Sequence, residues 1–156
     1  MKITNAYLKY FYLVVFLITT AFIFIFAGFS GEQSSSQSGF LLNLISSLLN
    51  ALQIHLNQEQ LDIVHIVIRK LIGHFVIFGL DGIFAYLTFD GWLKYSKKAK
   101  IAISLGVGIL IASLSEVIQL LAPERGPSIY DVLLDYSGFI LGVIFVLIIE
   151  HLNRVS

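Results

Sequence analysis

Four long apolar stretches, at residues 11–29, 71–89, 101–122 and 129–149, set the pattern of this chain. Each is close to the ~20 residues that a helix needs to cross a hydrocarbon core. Only the second carries a charge near its middle, Asp81. That carboxylate costs about 2.5–3.5 kcal/mol on insertion scales, and each surrounding Leu, Ile, Val or Phe returns about 0.3–0.6 kcal/mol. The sum favours insertion, so the stretch still spans. Residues 10–30 form an uncharged run longer than the roughly 7–15-residue apolar core of a signal peptide, which makes it a first membrane helix rather than a leader. The pattern predicts an all-α membrane protein, a four-transmembrane-helix bundle forming a single domain over residues 1–156.

The segment between spans one and two, residues 30–68, is of another kind. Glu32 to Ser38 reads as a polar, solvated loop. After Gly39, the polar positions Asn43, Ser46, Ser47, Asn50, Gln53 and Asn57 recur at steps of three and four, which predicts an amphipathic helix. Its polar face has no lysine or arginine, so it suits the outer interface or the mouth of the bundle rather than anionic lipid. Asn57 and Gln60 form a capping pair that restarts the helix, and residues 61–68 lead directly into span two.

Composition agrees with the pattern. The chain is 57% apolar, against about 45–50% for a soluble domain. A net charge of zero gives no reason to expect nucleic acid as a partner. The lack of cysteine excludes disulfides, thiolate metal sites and a cysteine nucleophile. Charge placement sets the expected orientation. In a four-span arrangement Lys2, Lys9, Lys94, Lys97, Lys98, Lys100 and Arg154 fall on one side, and Arg69, Lys70 and Arg125 on the other. By the positive-inside rule both termini are cytoplasmic. The polar residues within the spans then converge on the extracytoplasmic half of the membrane.

Those residues are the candidates for chemistry, because ionisable groups inside membrane segments pair, line cavities or act. Lys70, His74 and Asp81 are spaced to share one helical face. Arg69 and Lys70 suit a phosphate or carboxylate clamp, with interfacial snorkelling as the plainer role. His74 suits proton transfer or a hydrogen bond to a neighbouring helix. Ser113, Glu116 and Gln119 make a polar stripe on span three. Glu116 is the best functional acid there, with an ion pair to Arg69, Lys70 or Arg125 as its structural alternative; Gln119 supports it. Asp131 closes a capping box begun by Ser128. Asp135, one turn deeper, has no such role. Gly138 and Gly142 continue its face as a small-xxx-small contact, which would bring Asp135 towards Glu116 or His74. Glu116, His74 and Asp135 are thus the expected proton-handling groups, and Arg69, Lys70, Gln119, Arg125 and Asp131 the expected substrate-binding groups. No spacing of these acids and the histidine matches a metal-ligand motif, so neither a metal nor another cofactor is expected.

Together these residues resemble the VanZ-like family of bacterial integral membrane proteins over nearly the whole chain. Phe29-Ser30 and the Gln/Ser-rich stretch to Ser38 resemble the segment after that family's first span. Arg69-Lys70-x-x-x-His74-Phe75 resembles its RK-x-x-HF-type motif, with one extra residue before the histidine. Glu116-x-x-Gln119, Pro123-x-Arg125 and Asp131-Val132-Leu133-Leu134-Asp135-x-x-Gly138 resemble its E-x-x-Q, P-x-R and D-V-L-x-D-x-x-G signature. Ser115 stands where many relatives have an acid, Ile77-Phe78 where many have an acid-Tyr pair, and Asp81 lies outside the pattern. Either the outer acid-base network is reduced or Asp81 partly replaces a missing acid, its plainer roles being a helix–helix contact or a cavity-lining polar. The family's namesake is associated with low-level resistance to teicoplanin-type glycopeptides. The resemblance therefore implies an envelope membrane protein whose outward polar pocket engages a membrane lipid or lipid-linked cell-wall precursor. Group transfer or hydrolysis on a lipid-anchored substrate is the reaction class that fits an enzyme. A non-catalytic lipid-binding or shielding protein, and more weakly a small proton-linked transporter, are the alternatives.

Overall fold

The computed structural model describes residues 6–155, and among them every regular element is helical. The elements are α1 (Ala6–Ala27), α2 (Gly31–Ala51), α3 (Gln58–Lys70), a π-helical turn (Leu71–Val76), α4 (Ile77–Trp92), α5 (Lys97–Gln119) and α6 (Ile129–Val155). Four helices are long and apolar enough to cross a membrane: Ala6–Ala27, the continuous Gln58–Trp92, Lys97–Gln119 and Ile129–Arg154. All four expected spans are present. The second is the longest because α3, the π turn and α4 run on without a break. Its 35 residues reach about 50 Å at ~1.5 Å per residue, well beyond a hydrocarbon core of about 30 Å.

Large apolar side chains such as Leu17, Phe22, Leu110, Phe145 and Ile148 stand exposed along the spans. An apolar surface on this scale belongs in lipid rather than water. The interior is narrow, with Phe16, Phe78, Tyr86, Phe139 and Val143 at its centre.

Successive spans run in opposite directions, so α4 and α6 are parallel. Residues 28–57 and 120–128 lie at one end, and residues 93–96 lie with the start of α1 and the end of α6 at the other. At that second end Trp92 Nε1 donates to the Lys9 carbonyl at 3.3 Å, and Tyr10 packs edge-on against the Trp92 ring. Lys2, used to orient the chain, lies outside the described residues.

The α4–α6 crossing depends on missing side chains. A Cβ on Gly142 would run into the Gly79 carbonyl, and one on Gly82 into the backbone of Phe139. This is the expected small-residue contact at Gly138 and Gly142, with Gly79 and Gly82 supplying the other half. Asp81, fully buried, turns away from the crossing to α1, where Thr19 and Thr20 hydroxyls donate to its Oδ1 at 2.5 and 3.0 Å. It is a helix–helix contact and does not share a working face with Lys70 and His74.

The expected polar loop at Glu32–Ser38 is helix. Ser30 Oγ accepts from Gln33 N–H, and Gln33 Oε1 accepts from Ser30 N–H, which is a complete capping box. Ser38 then returns its hydroxyl to the Ser34 carbonyl at 3.0 Å, so the serines meet their own hydrogen-bonding needs within the helix. The Asn57–Gln60 cap forms as expected. The helix expected after Gly39 is the rest of α2, but it exposes Leu44 and Leu48 as well as Asn43, Ser47 and Asn50, so a polar stripe does not describe its surface.

Candidate functional site

Parallel packing of α4 and α6 sets up two rungs at the end that bears α2. Lys70 pairs with Asp131 Oδ1, and one turn on His74 Nδ1 lies 2.9 Å from Asp135 Oδ1. A carboxylate can only accept, so the imidazole places its proton on Nδ1. Both rungs follow the i, i+4 spacing shared by Lys70 with His74 and Asp131 with Asp135, and the second falls within the π turn. An extra residue in a helical turn shifts everything beyond it by about 100° relative to what precedes it, and π turns of this kind recur at functional sites. His74 lies within this turn and is 9% exposed. The additional residue between the basic pair and His74 in the sequence is therefore absorbed locally.

Glu116 comes from α5 and is 3% exposed. Gln119 Nε2 donates to its Oε1, and the Ser128 N–H donates to its Oε2 at 2.8 Å. The anticipated ion pair with Arg69, Lys70 or Arg125 is not made. Ser128 also begins α6, where its Oγ accepts from the Asp131 N–H at 3.3 Å. The Asp131 carboxylate goes to Lys70 instead of completing the capping box. Of the Ser113–Glu116–Gln119 stripe, Ser113 is exposed, and Ser115 takes the buried position beside Glu116.

A cavity of about 210 Å³ lies over this cluster. His74, Ser115, Gln119 and Asp135 line its polar side, Arg69 and Arg125 contribute cations, and Ile23, Phe26, Leu41, Ile68 and Ile72 make the apolar wall. Arg125 Nη1 donates to the Phe26 carbonyl at 3.2 Å. Partial burial lowers the pKa of Arg125, and Glu116 acts in the opposite sense. Gly31 N–H binds the Pro123 carbonyl at 3.0 Å, and a Cβ at Gly31 would press on Glu124, so the α5–α6 turn and the start of α2 close together over Arg125.

Five of the expected site residues therefore line the cavity: Arg69, His74, Gln119, Arg125 and Asp135. Glu116 lies buried against Gln119. Lys70 and Asp131 are spent on each other outside the cavity wall. Sequence reasoning missed Ser34, Ser38 and Ser115, which all line the cavity, and His65, whose Nε2 lies 2.7 Å from Ser38 Oγ and 3.2 Å from the Ser35 carbonyl. Because a carbonyl only accepts, that nitrogen carries the proton. Ser38 is then an acceptor from His65 and not a nucleophile awaiting a base; the pair locks α2 to α3. Only the helix periodicity of residues 31–38 could have signalled this.

Four apolar spans around a buried polar cluster define an integral membrane protein with a site built between its helices. The VanZ/LLP1 family model matches residues 10–150, and the chain belongs to that family. No curated protein and no solved structure matches the chain.

Proposed function

We propose that the cavity receives the anionic head group of a membrane lipid or lipid-linked cell-wall precursor at the outer face of the cell membrane, and that occupancy lowers susceptibility to teicoplanin-type glycopeptides. The observation that carries this reading is one cavity in which Arg69 and Arg125 stand beside an apolar wall of Ile23, Phe26, Leu41, Ile68 and Ile72. Guanidinium groups match phosphate and carboxylate oxygens, and the apolar wall suits the first part of a lipid chain. The outward placement is supported by Lys9, Lys94, Lys97, Lys98, Lys100 and Arg154, which lie at the opposite end with the start of α1 and the end of α6. In this reading His74, Glu116 and Asp135 orient the bound group or move a proton on it.

The test is teicoplanin and vancomycin susceptibility of a sensitive Gram-positive host expressing the wild type, Arg125→Ala or Glu116→Gln at equal membrane abundance. A charge-assisted hydrogen bond contributes about 1.5–3 kcal/mol, so Arg125→Ala should weaken head-group binding at least about tenfold. Teicoplanin protection should be lost in both variants. Protection by the wild type that persists in both would make the cluster structural and sink the proposal, as would the absence of any protection by the wild type.

A further inference from the structure

The buried negative charge below the cavity has no lysine or arginine to meet it, and only His74 faces Asp135. Glu116 and Asp135 are 3% and 0% exposed, yet among the described residues neither makes an ion pair with a lysine or arginine. Arg125 is the cation that couples to both electrostatically, but it is engaged with the Phe26 carbonyl. Asp135 Oδ2 is buried without a hydrogen-bond partner on the wall of the cavity. A buried, unpartnered carboxylate oxygen is costly, and several kcal/mol of desolvation per ion remain to be offset.

We propose that His74, Glu116 and Asp135 bind one divalent ion of the Zn²⁺ or Mn²⁺ type. Each residue offers one ligand atom, and these atoms lie within 4.8 Å of one another. Bonds of about 2.0–2.2 Å place neighbouring ligand atoms about 3 Å apart at octahedral angles and about 3.4 Å apart at tetrahedral ones. The 2.9 Å separation of His74 Nδ1 and Asp135 Oδ1 is close to this range, and the ion takes the place of the proton they share. One imidazole nitrogen with two carboxylates suits Zn²⁺ or Mn²⁺ better than Mg²⁺, which prefers an all-oxygen octahedron and keeps its waters. Gln119 and the Ser128 amide hold Glu116 in orientation, the role of a supporting outer shell. The ligands come from the π turn, α5 and α6, and so show no ligand spacing in sequence. With the ion in place, its charge offsets the two carboxylates, and an open coordination position beside Arg69 and Arg125 suits a phosphate oxygen. The proposal shares this cavity with the lipid reading but does not depend on it.

The experiment is equilibrium dialysis of chelator-treated protein in nanodiscs of neutral lipid against Zn²⁺, Mn²⁺ or Mg²⁺ alone, with elemental analysis. Wild type should retain about one equivalent of Zn²⁺ or Mn²⁺ and no stoichiometric Mg²⁺. Asp135→Asn, Glu116→Gln and His74→Gln should each bind at least about tenfold more weakly, in line with loss of a ligand. Asp81→Asn, a buried carboxylate outside the cluster, should bind as wild type does. The three ligands lie on different elements, so a folding failure in one variant leaves the other two. No stoichiometric binding by folded wild type, or equal binding by all folded variants, would overturn the proposal. No lipid is titrated, so this outcome is separate from the susceptibility test.

Discussion

The two ends of this bundle treat buried acids in opposite ways. At the end where α1 starts and α6 finishes, Lys97 meets Glu150 at 2.7 Å and Lys100 meets Asp90 at 2.8 Å, with a second bond from Lys100 to the Asp90 carbonyl. Each acid there has its own lysine. At the cavity end Asp131 has one, whereas the deeper Glu116 and Asp135 have hydrogen-bond donors but no lysine or arginine. Midway, Asp81 meets two neutral hydroxyls and joins α1 to α4. An acid matched by a cation or by hydroxyls on a facing helix holds helices together. Glu116 and Asp135 lack a lysine or arginine and stand at a cavity, and such departures from local consistency are expected where function is placed.

The largest effect that would break this contrast is steric. Gly142→Val drives a side chain into the Gly79 carbonyl and forces α4 and α6 apart, an overpacking cost of about 3 kcal/mol. It should lower membrane abundance and separate His74 from Asp135, measured by thermal unfolding in detergent. The next effect lies at the ion-paired end. Asp90→Asn leaves Lys100, whose side chain is 13% exposed, without its partner. Breaking a fully buried pair costs about 3–5 kcal/mol; partial exposure reduces this to about 2 kcal/mol. Glu150→Gln should cost less, about 1 kcal/mol, because Lys97 is exposed and can turn to water. Both variants should keep teicoplanin protection at matched abundance.

Much of this was legible in the sequence. Four apolar runs gave the spans, the Asn57–Gln60 pair marked a helix start, and Gly138 with Gly142 marked the crossing that brings Asp135 to His74. What was not legible depends on partners. Composition alone made Glu32–Ser38 a loop, because serine clusters favour turns until a cap such as Ser30–Gln33 commits them to a helix. The spacing of Lys70, His74 and Asp81 implied one face because a regular 3.6-residue turn was assumed, and the π turn between Lys70 and Ile77 removes that regularity. Lys70 and Asp131 each resembled a substrate contact, but their mutual pairing needs two helices side by side. Ser115 stood one residue from Glu116 in sequence, yet which serine turned inward was set by how α5 packs.

The smallest expected effect separates the two ends most directly. Thermal unfolding of chelator-treated Asp135→Asn, run beside wild type and Asp90→Asn, asks whether the cavity acid supports the fold. An amide can keep the contact with His74 and removes one of two neighbouring buried charges. The expected result is a melting temperature at or above that of wild type, a change within about 1 kcal/mol, while Asp90→Asn melts clearly lower. An Asp135→Asn protein destabilised as much as Asp90→Asn would contradict the contrast and make the cavity acids part of the scaffold.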